Sequence, residues 1–157
     1  MTIAKNIYLL LARDVSTDSN DNMNSIIKII DKFNINVDKQ DIEKQKLVWG
    51  ESIIILPVSY AIASLWLLDK KSEQESTVKV KISIFDPKGK DLGGPEQSLK
   101  LPVGSDRVSL NFNNQGMPIT KDGKYFIKAQ LRIADKIVGD ADYPYEVDVK
   151  WLSNAEK

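Results

Sequence analysis

Oxygen-bearing side chains fill Asp18-Ser19-Asn20-Asp21-Asn22, with Asp14 just ahead. Carboxylates and amides at every second position are how a D-x-[DN]-x-[DN] loop wraps calcium. The rest of that loop is missing. Met23 stands where the sharp turn needs glycine, and Ile29 stands where the bidentate glutamate belongs, so a polar connection is expected here rather than a calcium loop. Separate loops can also converge on one ion, and for that arrangement Asp14, Asp86, Asp140 and Asp142 are the carboxylates to examine.

Other chemistry is narrowed by what the chain lacks. It has no histidine, which excludes Ser-His-Asp and Cys-His catalysis and most zinc or copper sites. It has no cysteine, which removes disulfides, thiolate ligands and thiol nucleophiles, and agrees with a reducing, cytoplasmic setting. Carboxylate, lysine or tyrosine chemistry is left. Glu51 beside Trp49 is the one carboxylate that stands out, but paired carboxylates for glycoside hydrolysis are defined by their separation across a cleft, and Glu51 reads more simply as a strand-start residue. Gly93-Gly94-Pro95 lacks the lysine and hydroxyl residue of a phosphate-binding loop and reads as a turn. No catalytic, cofactor-binding or metal-ligating residue is assigned, and the expectation is a protein that is not an enzyme and carries no cofactor.

Two surface features invite binding readings. Lys79, Lys81, Lys88, Lys90 and Lys100 could form a basic patch, although lysines on exposed strands also guard against edge-to-edge aggregation. Trp49, Trp66 and Trp151, with Tyr60, Tyr143 and Tyr145, could make a platform for sugar rings. Trp66 and Trp151 fall in phase with buried positions of their strands, so core packing accounts for those two first.

The elements that must position these residues are read from periodicity. Val78, Val80, Ile82 and Ile84 alternate with Lys79, Lys81 and Ser83, and Asp86-Pro87-Lys88-Gly89 ends the run with a tight turn. Val108, Leu110 and Phe112 alternate likewise. So do Tyr125, Ile127, Ala129, Leu131 and Ile133 after the turn Lys121-Asp122-Gly123, and Tyr145, Val147, Val149 and Trp151. These are half-buried antiparallel strands. Residues 57–68 are apolar on both faces, with Val58, Tyr60, Ile62, Trp66 and Leu68 on one and Ala61, Ala63, Leu65 and Leu67 on the other. That predicts a central strand or one at an interface. Residues 25–37 fit a helical stripe and strand alternation equally, and residues 38–46 read as a surface loop or short helical turn.

At 157 residues, 42% hydrophobic, the chain suits one domain over residues 1–157 with a frayed tail at 153–157. Lysine plus arginine equals aspartate plus glutamate at 22 each, so nothing drives binding to a phosphate backbone or an anionic membrane; neither nucleic acid nor membrane is expected as a partner. The N-terminus reads as a first strand, and the uncharged residues 52–68 are too short and too interrupted for a membrane span. The expected fold is all-β, an antiparallel two-sheet β-sandwich of seven or eight strands, with a closed barrel as runner-up.

The order of these pieces resembles a family of small uncharacterised bacterial proteins with an immunoglobulin-like or C2-like β-sandwich. The matching pieces are the apolar first strand into Ala12-Arg13-Asp14, residues 25–33, Leu56-Pro57, residues 84–89, residues 122–126 and residues 143–149. The resemblance implies that residues 25–33 are a strand, and it transfers no active site. The functional expectation is a non-catalytic module that binds a protein partner or a second copy of itself, in a bacterial or phage-linked system. The alternative is a domain binding a small ligand, a carbohydrate or calcium.

Overall fold

The computed structural model describes residues 2–17 and 24–152. The calcium-like stretch 18–22 with Met23, and the tail at 153–157, lie outside the described residues. Among the described residues nine strands and one short helix follow one another: β1 (Ala4–Thr17), β2 (Asn24–Ile29), β3 (Lys32–Asp38), α1 (Lys39–Lys44), β4 (Ile54–Leu68), β5 (Ser76–Phe85), β6 (Glu96–Leu101), β7 (Arg107–Ile119), β8 (Gly123–Ile133) and β9 (Lys136–Leu152). They form two curled sheets, β2-β1-β4-β7 and β3-β9-β8-β5-β6. The all-β expectation holds.

Three expectations need correction. The sheets are not purely antiparallel, because β3 runs parallel to β9, from Lys32 beside Glu146 to Asp38 beside Leu152. Residues 25–33 are not one strand: the chain leaves the first sheet after Ile29 and enters the second at Lys32, with Lys28 in the left-handed region at φ 55°. That crossing brings β3 onto β9 in the same direction. The strand count rises to nine through this split and through β6, where Leu99 and Leu101 are the only large apolar residues and make a weak alternation.

The facing sides of the two sheets share one core. Leu9 and Leu11 of β1, Tyr60, Ile62 and Trp66 of β4, and Leu110 and Phe112 of β7 meet Val78 to Ile84 of β5, Tyr125 to Leu131 of β8, and Tyr145 and Val147 of β9. β4 lies between β1 and β7, as its double-sided apolarity predicts. Its outward alanines Ala61 and Ala63 are fully buried in a small second cluster with Ala12 and Val15, against which the half-buried Tyr8 and Ile26 pack. The polar stretch 38–46 forms α1, capped by the Asp38 carboxylate on the Gln40 amide and docked through Ile42.

Two turns are tied from inside. The Asp86 carboxylate accepts from the Lys88 amide at 2.9 Å, the Lys90 amide at 2.7 Å and the Thr120 hydroxyl at 2.7 Å. The Tyr125 hydroxyl accepts from the amides of Thr120 and Lys121 and donates to the Lys121 carbonyl, closing the turn that leads into β8. No helix among the described residues is long and apolar enough to cross a membrane.

Candidate binding cleft

β4 and β7 pair in regular antiparallel register from Leu67 opposite Arg107 down to Ser59 opposite Gln115, and then slip. Leu56 next faces Met117, so Pro57 and Val58 together oppose Gly116 alone. Proline cannot donate to the ladder, and Gly116, at φ +87°, takes the backbone shape that a side chain would resist. Such a bulge bends the strand and re-aims its side chains. Near it the chain also crosses between sheets at Ile30 and Asp31. The crossing is fixed by β9, where the Tyr143 hydroxyl donates to the Ile30 carbonyl at 2.7 Å and the Glu146 amide to the Asp31 carbonyl at 2.9 Å.

Bulge and crossing together open a cleft of about 860 Å³. Its apolar lining is Phe33 and Ile35 of β3, Ile30, and Pro57, Val58 and Tyr60 of β4. Its polar lining is Asn34, Ser59, Asn113, Asn114 and Gln115, with Arg13 and Asp14 at the end of β1. Phe33 is held edge-on against Tyr145 at 5.9 Å, and burial pushes the Tyr60 phenol above its ordinary pKa, so Tyr60 stays a neutral hydroxyl. The Asn114 side-chain nitrogen is buried and has no hydrogen-bond partner among the described residues. A buried donor without an acceptor is unfavourable by about 1–3 kcal/mol.

The carboxylates singled out for calcium are dispersed. Asp14 lies in this cleft, Asp86 is 2% exposed and committed to its turn, and Asp140 and Asp142 lie on β9 opposite Gln130 and Lys128. Among the described residues no three acidic side chains group as a metal site would need. Glu51 is exposed in the turn before β4 and offers its main-chain oxygen to Lys90. The Gly93-Gly94-Pro95 run lies against β5: the Gly93 and Pro95 carbonyls accept from the Ile84 and Ile82 amides, and a Cβ on Gly94 would sit 2.3 Å from the Ile82 oxygen.

The five lysines do not build one patch. Lys79, Lys81 and Lys100 share one face of β5–β6, where Lys79 and Lys100 face Asp135 and Glu75 and Lys81 stands opposite Glu96, while Lys88 and Lys90 reach the Gly50 and Glu51 carbonyls. Nor do the aromatic residues share a platform. Trp66 and Tyr145 are in the core, and Tyr60 and Tyr143 serve the cleft and its wall. Trp151 departs from its expected burial. It is 37% exposed at the end of β9, with Trp49 beside it at 4.8 Å between ring centroids.

No protein-family model and no curated protein matches the chain. Among solved structures, a calcium-binding mutant of Bacteroides uniformis beta-glucuronidase 2 is similar at 14% identity and TM-score 0.41, over 59% of this chain and 12% of that one. A Pseudomonas fluorescens alkylpurine DNA glycosylase bound to DNA is similar at 11% identity and TM-score 0.41, over 92% of this chain and 30% of that one. Each likeness is too distant to carry an assignment.

Proposed function

We propose that the chain is an immunoglobulin-like sandwich acting as a non-catalytic interaction module, and that its cleft receives a segment of a protein partner. Two features support the fold. The arrangement β6-β5-β8-β9 opposite β4-β7 follows the C′-C-F-G and B-E strands of an immunoglobulin domain, with β1 and β2 added beside β4. Tyr125, at the start of the F-equivalent strand, closes back onto the chain four residues upstream as a tyrosine corner does.

The observation that carries the function is the lining of the cleft. Asn34, Asn113, Asn114 and Gln115 are uncharged groups that both donate and accept, set beside the apolar Phe33, Val58 and Tyr60. This pairing suits a polypeptide, whose main chain presents one donor and one acceptor per residue and whose side chains need apolar contact. The balanced charge of the chain fits a protein rather than a nucleic acid or membrane partner, and the absence of cysteine fits a cytoplasmic setting. A small-ligand, carbohydrate or calcium-binding role is the second reading, favoured by the same mixed lining, whose amides and apolar faces suit the hydroxyls and ring faces of a sugar equally well.

The test is capture from the native host with the wild-type chain, with Val58→Lys and Asn114→Leu in the cleft, and with Lys136→Glu away from it. A protein retained by wild type and Lys136→Glu but lost with both cleft variants supports the reading. Loss of nothing, together with a rise in melting temperature on adding a glycan or calcium, replaces it with the second reading.

A further inference from the structure

Trp151 continues the inward series of Tyr145, Val147 and Val149, yet its indole reaches past the shared core and stays 37% exposed, next to Val48 at 53%. Its ring and that of Trp49 lie 4.8 Å apart with their planes 69° from parallel, which makes an inside corner. Lys39, Ile42 and Glu43 of α1 complete a pocket of about 380 Å³ around that corner. The volume falls within the range of small-molecule sites.

Two charges define what the corner takes. The Lys39 ammonium sits 5.7 Å from the centre of the Trp151 ring, drawn by the negative face of the indole. Glu43, one helical turn further along α1, lines the same pocket and makes no ion pair among the described residues. An aromatic corner with a carboxylate beside it is complementary to a cation that also carries apolar surface. Methyl groups on nitrogen match the indole and Ile42 walls, and they leave the ammonium weakly hydrated, so it gives up water more readily than Lys39 does.

We propose that the Trp49–Trp151 corner binds a methylated organic ammonium ion, with Lys39 as a built-in competitor that the ligand displaces. This site is separate from the cleft and stands whether or not the cleft holds a protein.

Tryptophan fluorescence tests it, because Trp66 is fully buried and the response comes from Trp49 and Trp151. The probe is tetramethylammonium at constant ionic strength, with sodium as control. Wild type should give a saturable change that sodium does not. Lys39→Ala, a change at an exposed residue, should bind about two- to fivefold tighter, the factor corresponding to one displaced exposed cation–π contact. Glu43→Gln should weaken binding and Trp151→Leu should abolish it. Choline against N-acetyl-trimethyllysine amide then tells a free amine from one borne on a protein. A response no different from sodium, weaker binding by Lys39→Ala, or saturation by glucose in place of the ammonium overturns the proposal.

Discussion

The Thr120 hydroxyl donates to the Asp86 carboxylate at 2.7 Å across 34 residues of sequence, and both residues are buried. This bond joins the β5–β6 turn to the end of β7. Burial alone would push the Asp86 carboxyl up, but hydrogen bonds from Thr120 and from the Lys90 and Lys88 amides, with the Lys90 charge, outweigh it and hold the group below the usual carboxylate range. A depressed folded value means that the ionised form favours the folded chain. Its contribution is full above the unfolded value of about 3.9 and is lost as pH falls from there through the lower folded value. Wild-type stability should therefore drop from about pH 4 downward more steeply than that of Asp86→Asn. Urea unfolding midpoints across that range are the check, and parallel profiles would contradict it.

Tyr125→Phe isolates the other tied turn. The ring keeps its stack on Tyr145 at 5.4 Å, while the Thr120 and Lys121 amides lose their acceptor and the Lys121 carbonyl its donor. We expect a loss of about 1–3 kcal/mol in urea unfolding with unchanged far-ultraviolet circular dichroism. An undiminished stability would mean that the hydroxyl does not hold the turn.

These elements differ in how openly the sequence announces them. The central place of β4 was legible, because a strand covered on both faces must be apolar on both, and alternation marked β5, β7 and β8 in the same way. The break between β2 and β3 was not, since neither glycine nor proline marks it and Lys28 adopts its left-handed turn without a local signal. Phase told which way Trp151 points but not that the core ends before it. The cleft was hidden for a related reason. Pro57 hints at a bulge, but only register places Gly116 opposite it, and only the crossing at Ile30 brings Phe33 near Tyr60. The unpaired nitrogen of Asn114 is a property of its neighbours, so residue type alone could not reveal it.

Gly139 shows how closely the sheets approach. A Cβ there would stand 2.8 Å from the Ala4 carbonyl oxygen and 3.1 Å from Cζ3 of Trp66, setting β9 of one sheet against β1 and β4 of the other. Neither the backbone of β1 nor the fully buried indole can move freely. Gly139→Ala should destabilise by about 1–3 kcal/mol through overpacking, at about 2–4 °C of melting temperature per kcal/mol for a chain of this size. Calorimetry is the check, and an unchanged melting temperature would mean that the sheets part at little energetic expense.

Asn114 separates binding from stability. Its buried side-chain nitrogen lacks a partner among the described residues, so the folded chain carries that penalty. Leucine has nearly the same shape and no donor to satisfy. Asn114→Leu should leave stability unchanged or raise it by up to about 1 kcal/mol, because replacing an unpaired polar group with an apolar one of similar shape removes a desolvation penalty. It should also weaken partner capture, because an apolar side chain replaces one amide of the cleft's polar lining. Residues arranged for binding often show this opposition of function and stability. Urea unfolding and capture from the native host, run on the same preparations, provide both readouts. A destabilised variant that still captures its partner would show that Asn114 serves the fold and not the cleft.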